Sequence, residues 1–181
     1  MFVAIGHELA FGLRRGEIAQ ARWDWWKAGP GYPVLSGEAQ VKSGTGRLRV
    51  RALDPWFNLM RARIEAEGWR GEDADYIIPG ADNYRNEDLF RGIGSWMRQL
   101  GWRTKKTNHA LRAYAGSQVA MKYELYEAQA WLRHSTIEVT KDHYTQYVKD
   151  FKSDNPDDIE ARWATFASAT PLRVLPDVAV A

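Results

Sequence analysis

EAQVKSGTGRLRVRAL, residues 38–53, is the stretch on which the fold class turns. Apolar and polar residues alternate with period two on either side of Ser43-Gly44-Thr45-Gly46, the pattern of two strands folded back as a β-hairpin. In the second arm Arg47, Arg49 and Arg51 point one way, while Leu48, Val50 and Ala52 point the other. One face therefore packs on the body of the protein, and the other is a basic ribbon. Lys42 stands just before the turn.

Outward from the hairpin, the periodicity becomes helical. Asp54-Pro55 supplies an N-cap and a first-turn proline for a helix that Gly68 stops. Tyr76-Ile77-Ile78-Pro79 reads as a short strand or an extended stretch. A helix from about Glu87 to Leu100 closes at Gly101, and Thr107 or Asn108 caps the next, to about Lys122. Two more follow, about 124–132 and 136–150, and a last one lies near 157–168, after Asn155-Pro156. On the other side, residues 2–11 are apolar and helical until Gly12, and a second helix runs from Arg15 to about Trp26. Ala28-Gly29-Pro30-Gly31-Tyr32-Pro33 is turn chemistry. The expectation is a mostly α protein with a small β-hairpin, α+β in class. Residues 1–150 form one domain, and 151–181 a C-terminal helix and an apolar tail.

Composition narrows the class. With 181 residues, 45% of them hydrophobic, and nine Trp, the chain buries a core without cross-links. A mean hydropathy of -0.51 and 27% charged residues exclude a membrane-embedded or disordered chain. No cysteine means no disulfide, no thiolate metal site and no cysteine nucleophile, which fits a reducing, cytoplasmic setting. The opening MFVAIGHELAFG has no basic leader and carries His7 and Glu8 in its apolar part, so it does not read as a signal peptide. The net charge of +2 is too even to imply a nucleic-acid partner by itself. Its distribution says more. Arg14, Arg15, Lys42, Arg47, Arg49, Arg51, Arg103, Lys105, Lys106 and Arg112 fall in three clusters, and the acids gather in 65–88 and 150–160.

Four histidines are present: His7, His109, His134 and His143. His109 and Arg112 lie three apart on one helix and share a face, so an imidazole stands beside a guanidinium able to grip a phosphate oxygen. Alone, the pair reads more readily as a capping histidine and a surface arginine. His134 falls where one short helix gives way to the next. Tyr144 follows ten residues later, and Tyr147 one turn beyond it is equally plausible on composition. In Gly12-Leu13-Arg14-Arg15-Gly16-Glu17 a guanidinium follows a helix break with a carboxylate three residues on, either a positioned pair or an ordinary surface ion pair.

Taken in order, Gly12–Glu17, Lys42 on a hairpin, His109-Ala110-Leu111-Arg112, Leu132-Arg133-His134-Ser135 and Tyr144 resemble the catalytic domain of tyrosine recombinases, the phage integrase family. The run from His134 to Tyr147, HSTIEVTKDHYTQY, is especially similar to the family's last motif. The resemblance spans about residues 1–150. It implies site-specific DNA breaking and rejoining with neither metal nor small-molecule cofactor, on double-stranded DNA, by a soluble cytoplasmic integrase of bacterial or phage origin. Self-association as a tetramer on DNA, with the tail docking in trans, belongs to the same implication.

The implied roles follow residue by residue. Tyr144 attacks a phosphodiester and forms a 3'-phosphotyrosine link. Arg14 and Arg112 clamp the non-bridging oxygens, His109 is the general base, Lys42 protonates the departing 5'-oxygen, and His134 donates to the phosphate. Glu17 buttresses Arg14. Arg15, Arg47, Arg49, Lys105 and Lys106 are the further DNA-binding candidates. Two positions depart from the family pattern: Arg133 stands where members commonly carry Gly, and the gap from His134 to Tyr144 is ten residues where many have nine. The front half of the DNA clamp, an N-terminal core-binding domain, is expected to be missing. Type IB topoisomerases share this residue set, and a non-catalytic DNA-binding relic of an integrase is the alternative from another class.

Overall fold

The computed structural model describes residues 1–29, 31–41, 44–73, 75–104 and 106–141. Its centre is α1 (Phe2–Phe11), all ten of whose residues are buried. A helix apolar on every side can only be satisfied by partners all round. α3 (Asp54–Ala66) and α5 (Thr107–Tyr123) supply them. Gly6 lets α3 approach closely: a Cβ there would lie 2.5 Å from the sulfur of Met60. α6 (Leu125–Leu132) packs on α5, where Gly116 leaves room for Leu132. α4 (Leu89–Gln99) rests on α5, with Gly94 close to Thr107, and it buries Leu89, Phe90, Ile93 and Met97.

The sheet is antiparallel and three-stranded, in the order β1 (Trp26–Ala28), β2 (Pro33–Val41), β3 (Gly44–Arg51). The expected alternation holds. Leu48, Val50 and Ala52 are buried, whereas Arg47, Arg49 and Arg51 are exposed. On the inner face Leu35 lies opposite Val50 and Gly37 opposite Leu48, and the ring of Trp25 lies directly over Gly37. Outside, Glu38 lies opposite Arg47, with 3.4 Å between their charged atoms.

Several boundaries differ from the sequence expectation, for identifiable reasons. The helix expected over 15–26 is only α2 (Arg15–Gln20), followed by a 3₁₀ turn, Trp23–Trp25, and then β1. The chain is drawn out of helix by distant backbone partners: Trp23 N–H donates to Asp75 O at 3.1 Å, Asp24 N–H to Asp73 O at 2.9 Å, and Ile77 N–H to Ala21 O at 2.9 Å. The hairpin gains a third strand, and its second strand already includes Gly44. Asp54 is the first helical residue rather than the cap, which is Leu53. Likewise Thr107 opens α5 behind Lys106.

The helix expected from Glu87 is preceded by a π-helical turn, Tyr84–Asp88. Buried Arg85 lies in it, donating to Ala19 O at 3.1 Å and to Gly80 O, with its guanidinium 3.8 Å from the centre of the Tyr76 ring. Beyond α6, residues 137–141 are helical. The expectations for 142–150 and 151–181 lie outside the described residues. Among the described residues, no helix is long and apolar enough to cross a membrane.

Candidate active site

The site begins where α1 ends. Gly12 has φ 55°, the left-handed region that favours glycine, and a Cβ there would lie 2.4 Å from the Trp131 ring. This turn presents the Gly12 carbonyl to two arginines from distant segments. Arg112 donates to it through Nη1, and Arg133 through Nη2 at 3.4 Å. Arg112 also donates through Nη2 to Leu132 O at the end of α6. One guanidinium thus ties together the C-terminal ends of α1 and α6.

Arg14 is the N-cap residue of α2, and Glu17 lies in that helix's first turn, where a carboxylate is favoured. Arg14 N–H donates to Glu17 Oε2 at 2.7 Å, and Arg14 Nη1 to Glu17 Oε1 at 2.9 Å. Arg14 Nη2 reaches the Arg133 carbonyl at 3.0 Å. Glu17 is buried, yet two cations reach it: the second is Arg133, whose Nη2 donates to Oε2 at 2.6 Å. Burial pushes the Glu17 carboxyl up. Arg133 first, then the Arg14 N–H and guanidinium, and Arg112, outweigh burial and hold it below the ordinary carboxylate range.

Arg112 is itself 4% exposed. Burial foremost, then the charges of Arg133 and Arg14, lower its pKa to about 9, against the pull of Glu17 and Glu8. Glu8 on α1 is the other carboxyl nearby. Burial raises its pKa well above the usual value despite Arg112, and its Oε2 has no hydrogen-bond partner among the described residues. Three guanidiniums thus stand against two carboxyls, Glu17 and Glu8. An excess of fixed cations is what a phosphate oxygen needs.

His134 follows Arg133 directly. Its N–H donates to Gln129 O at 3.1 Å, and its Nδ1 sits 2.9 Å from Oγ1 of buried Thr140. His109 is exposed in the first turn of α5, one turn before Arg112. The structure thus gathers Arg14, Glu17 and Arg112, whereas the ring of His134, just past α6, lies against Thr140. Lys42, Tyr144, Tyr147, His143 and Lys105 lie outside the described residues. His7 has a different place: its Nδ1 is 2.7 Å from Val3 O and its Nε2 accepts from Trp26 Nε1 at 3.0 Å, so it is a neutral core residue, its pKa lowered to about 4 by burial.

Among the other basic candidates, Arg49 and Lys106 are exposed. Arg15 pairs with Glu87 at 2.5 Å, and Arg47 with Glu38. Arg51 lies over the Tyr32 ring at 4.3 Å and offers its carbonyl to Trp131 Nε1 at 2.7 Å, which fixes α6 to the end of β3.

Three members of the cluster were missed as site residues by sequence reasoning. Arg133 was visible only as the replacement of a glycine, and the Gly12 carbonyl only as a helix break. Glu8 was visible as a carboxyl inside an apolar helix, a combination that does signal a special environment.

Comparison with known proteins gives a fold and no more. No protein-family model and no curated protein matches the chain. Among solved structures, XerA recombinase superposes with a TM-score of 0.59 at 15% identity, over 85% of this chain and 57% of that one. The fold is recombinase-like. The chain spans less than two thirds of that structure's length.

Proposed function

We propose that the chain is the catalytic domain of a tyrosine recombinase of the integrase type, cleaving and rejoining double-stranded DNA. The observation that carries this reading is the convergence of Arg14, Glu17 and Arg112, from segments about a hundred residues apart in sequence, in a recombinase-like fold. Arg14 and Arg112 hold the non-bridging oxygens of one phosphodiester, and His134 donates to the same phosphate. Tyr144 attacks phosphorus. Its phenolic proton passes to His109, the bond from phosphorus to the 5'-oxygen breaks, and Lys42 protonates that oxygen. The 3'-phosphotyrosine preserves the energy of the broken ester, and attack by a 5'-hydroxyl reverses the sequence.

Residues 1–150 carry this chemistry, and 151–181 serve assembly with neighbouring copies in a tetramer on DNA. Arg15, Arg47, Arg49, Lys105 and Lys106 add contacts along the DNA backbone, so binding weakens as salt rises. The test is a nicked duplex that traps the intermediate, incubated with the chain in chelator and read on a denaturing gel. Wild type forms a covalent protein–DNA adduct and Tyr144→Phe forms none. Adduct of equal yield from both would remove Tyr144 from the reaction, and binding without adduct would favour a DNA-binding relic.

A further inference from the structure

Arg133 holds a backbone conformation that side chains other than glycine rarely adopt, φ 56° at the end of α6. Such a residue persists only where its surroundings over-determine it. Here the side chain does so. Nη2 donates to Glu17 Oε2 at 2.6 Å and to Gly12 O at 3.4 Å, and Nη1 to Trp131 O at 3.1 Å. The Arg133 carbonyl meanwhile receives Arg14 Nη2 at 3.0 Å.

We propose that Arg133 is a positioning residue for Arg14, clamping the second oxygen of Glu17 while its own carbonyl holds the other end of the Arg14 guanidinium. The proposal rests on Arg14 being a phosphate ligand, as read above. Glu17 by itself is a weak jig. Its partner Arg14 is 45% exposed, and a side chain held by one carboxylate at that exposure swings readily. With Arg133 on Oε2 and Arg14 on Oε1, the carboxylate plane is fixed from both sides. A planar fork suits this task, because one group must reach Glu17, Gly12 and Trp131 together; an ammonium cannot. The other charged group acting on Glu17 is Arg112 on α5, which also faces Glu8 on α1.

Arg133→Gly separates side chain from backbone, since glycine takes φ 56° without strain and keeps the carbonyl. In the full chain the Tm of this variant falls, because Glu17 loses a buried partner and relief of the backbone strain offsets only part of that loss. The Arg14 Nε–Hε signal in NMR, sharp in wild type, broadens, and the Glu17 carboxyl titrates at higher pH. Trapped-adduct formation slows at least about tenfold, as supporting contacts of reactive groups typically do, with its acid limb moved to higher pH. DNA affinity changes little.

If Arg133→Gly fails to fold, Arg133→Lys replaces it. That variant broadens Arg14 in the same way, while Glu17 keeps its low titration because the charge remains. An unchanged Arg14 signal, an unchanged Glu17 titration in Arg133→Gly, or a wild-type adduct rate overturns the proposal. If wild type itself forms no adduct, the DNA-cleavage reading fails, and the two NMR readouts still decide the role of Arg133.

Discussion

Gly12→Ala is the substitution whose cost the structure sets most fully. At φ 55° an L side chain in the left-handed region costs about 1–2 kcal/mol. The added methyl would also lie 2.4 Å from Cζ3 and 2.8 Å from Cη2 of Trp131, closer than carbon atoms approach. The indole cannot slide away freely, because Nε1 is tethered to Arg51 O at 2.7 Å. Forcing a methyl into such a place costs about 1–3 kcal/mol. Reduced freedom of the unfolded chain returns about 0.4–1 kcal/mol. The net loss is about 1–5 kcal/mol, a large part of the 5–15 kcal/mol typical of a domain.

Urea unfolding followed by tryptophan fluorescence reads this directly. Adding Trp131→Phe, which shortens the ring at the point of collision, recovers about 1–3 kcal/mol in a double-mutant cycle and leaves the backbone part in place. A loss below about 1 kcal/mol, or no coupling between the two sites, refutes the geometry assigned to the turn.

Two further predictions concern pH. His7 has a folded pKa of about 4 against 6.5 unfolded, so its contribution is full above pH 6.5 and is lost as pH falls towards 4, by up to about 3 kcal/mol. Unfolding of wild type and His7→Gln across pH 7 to 4 shows their stability difference shifting by that amount against wild type; parallel curves would contradict the burial of His7. Glu8 acts in the opposite sense. Its raised pKa favours the folded state fully below about 4.5, and that contribution declines as pH rises while the unfolded carboxyl ionises. Glu8→Gln therefore gains on wild type between pH 4 and pH 8, and a constant difference would mean that Glu8 is ionised in the folded protein.

How much of this was legible depends on the range of the forces involved. The two faces of β3 follow from period two alone, and the Arg14–Glu17 pair from a spacing of three on a first helical turn. These are local. The conversion of Trp23–Trp26 from helix to a 3₁₀ turn and the start of an edge strand was not legible, because its causes are backbone pairing with residues 73–77 and with β2. In the sequence Arg133 shows only as a departure from the family's glycine, whereas its long side chain folds back across 116 residues of sequence onto Glu17. Nor does spacing reveal that Arg112 is buried with two backbone carbonyls at its nitrogens.

The central claim is that this cluster serves a phosphotyrosine reaction at one particular tyrosine. Mapping the covalent adduct tests it most directly. The trapped protein–DNA product is digested with protease and nuclease, and the peptide carrying a residual nucleotide is sequenced by mass spectrometry. The nucleotide is expected on Tyr144, with no modified peptide from the Tyr144→Phe protein. A nucleotide on Tyr147, or on any residue other than Tyr144, would contradict it.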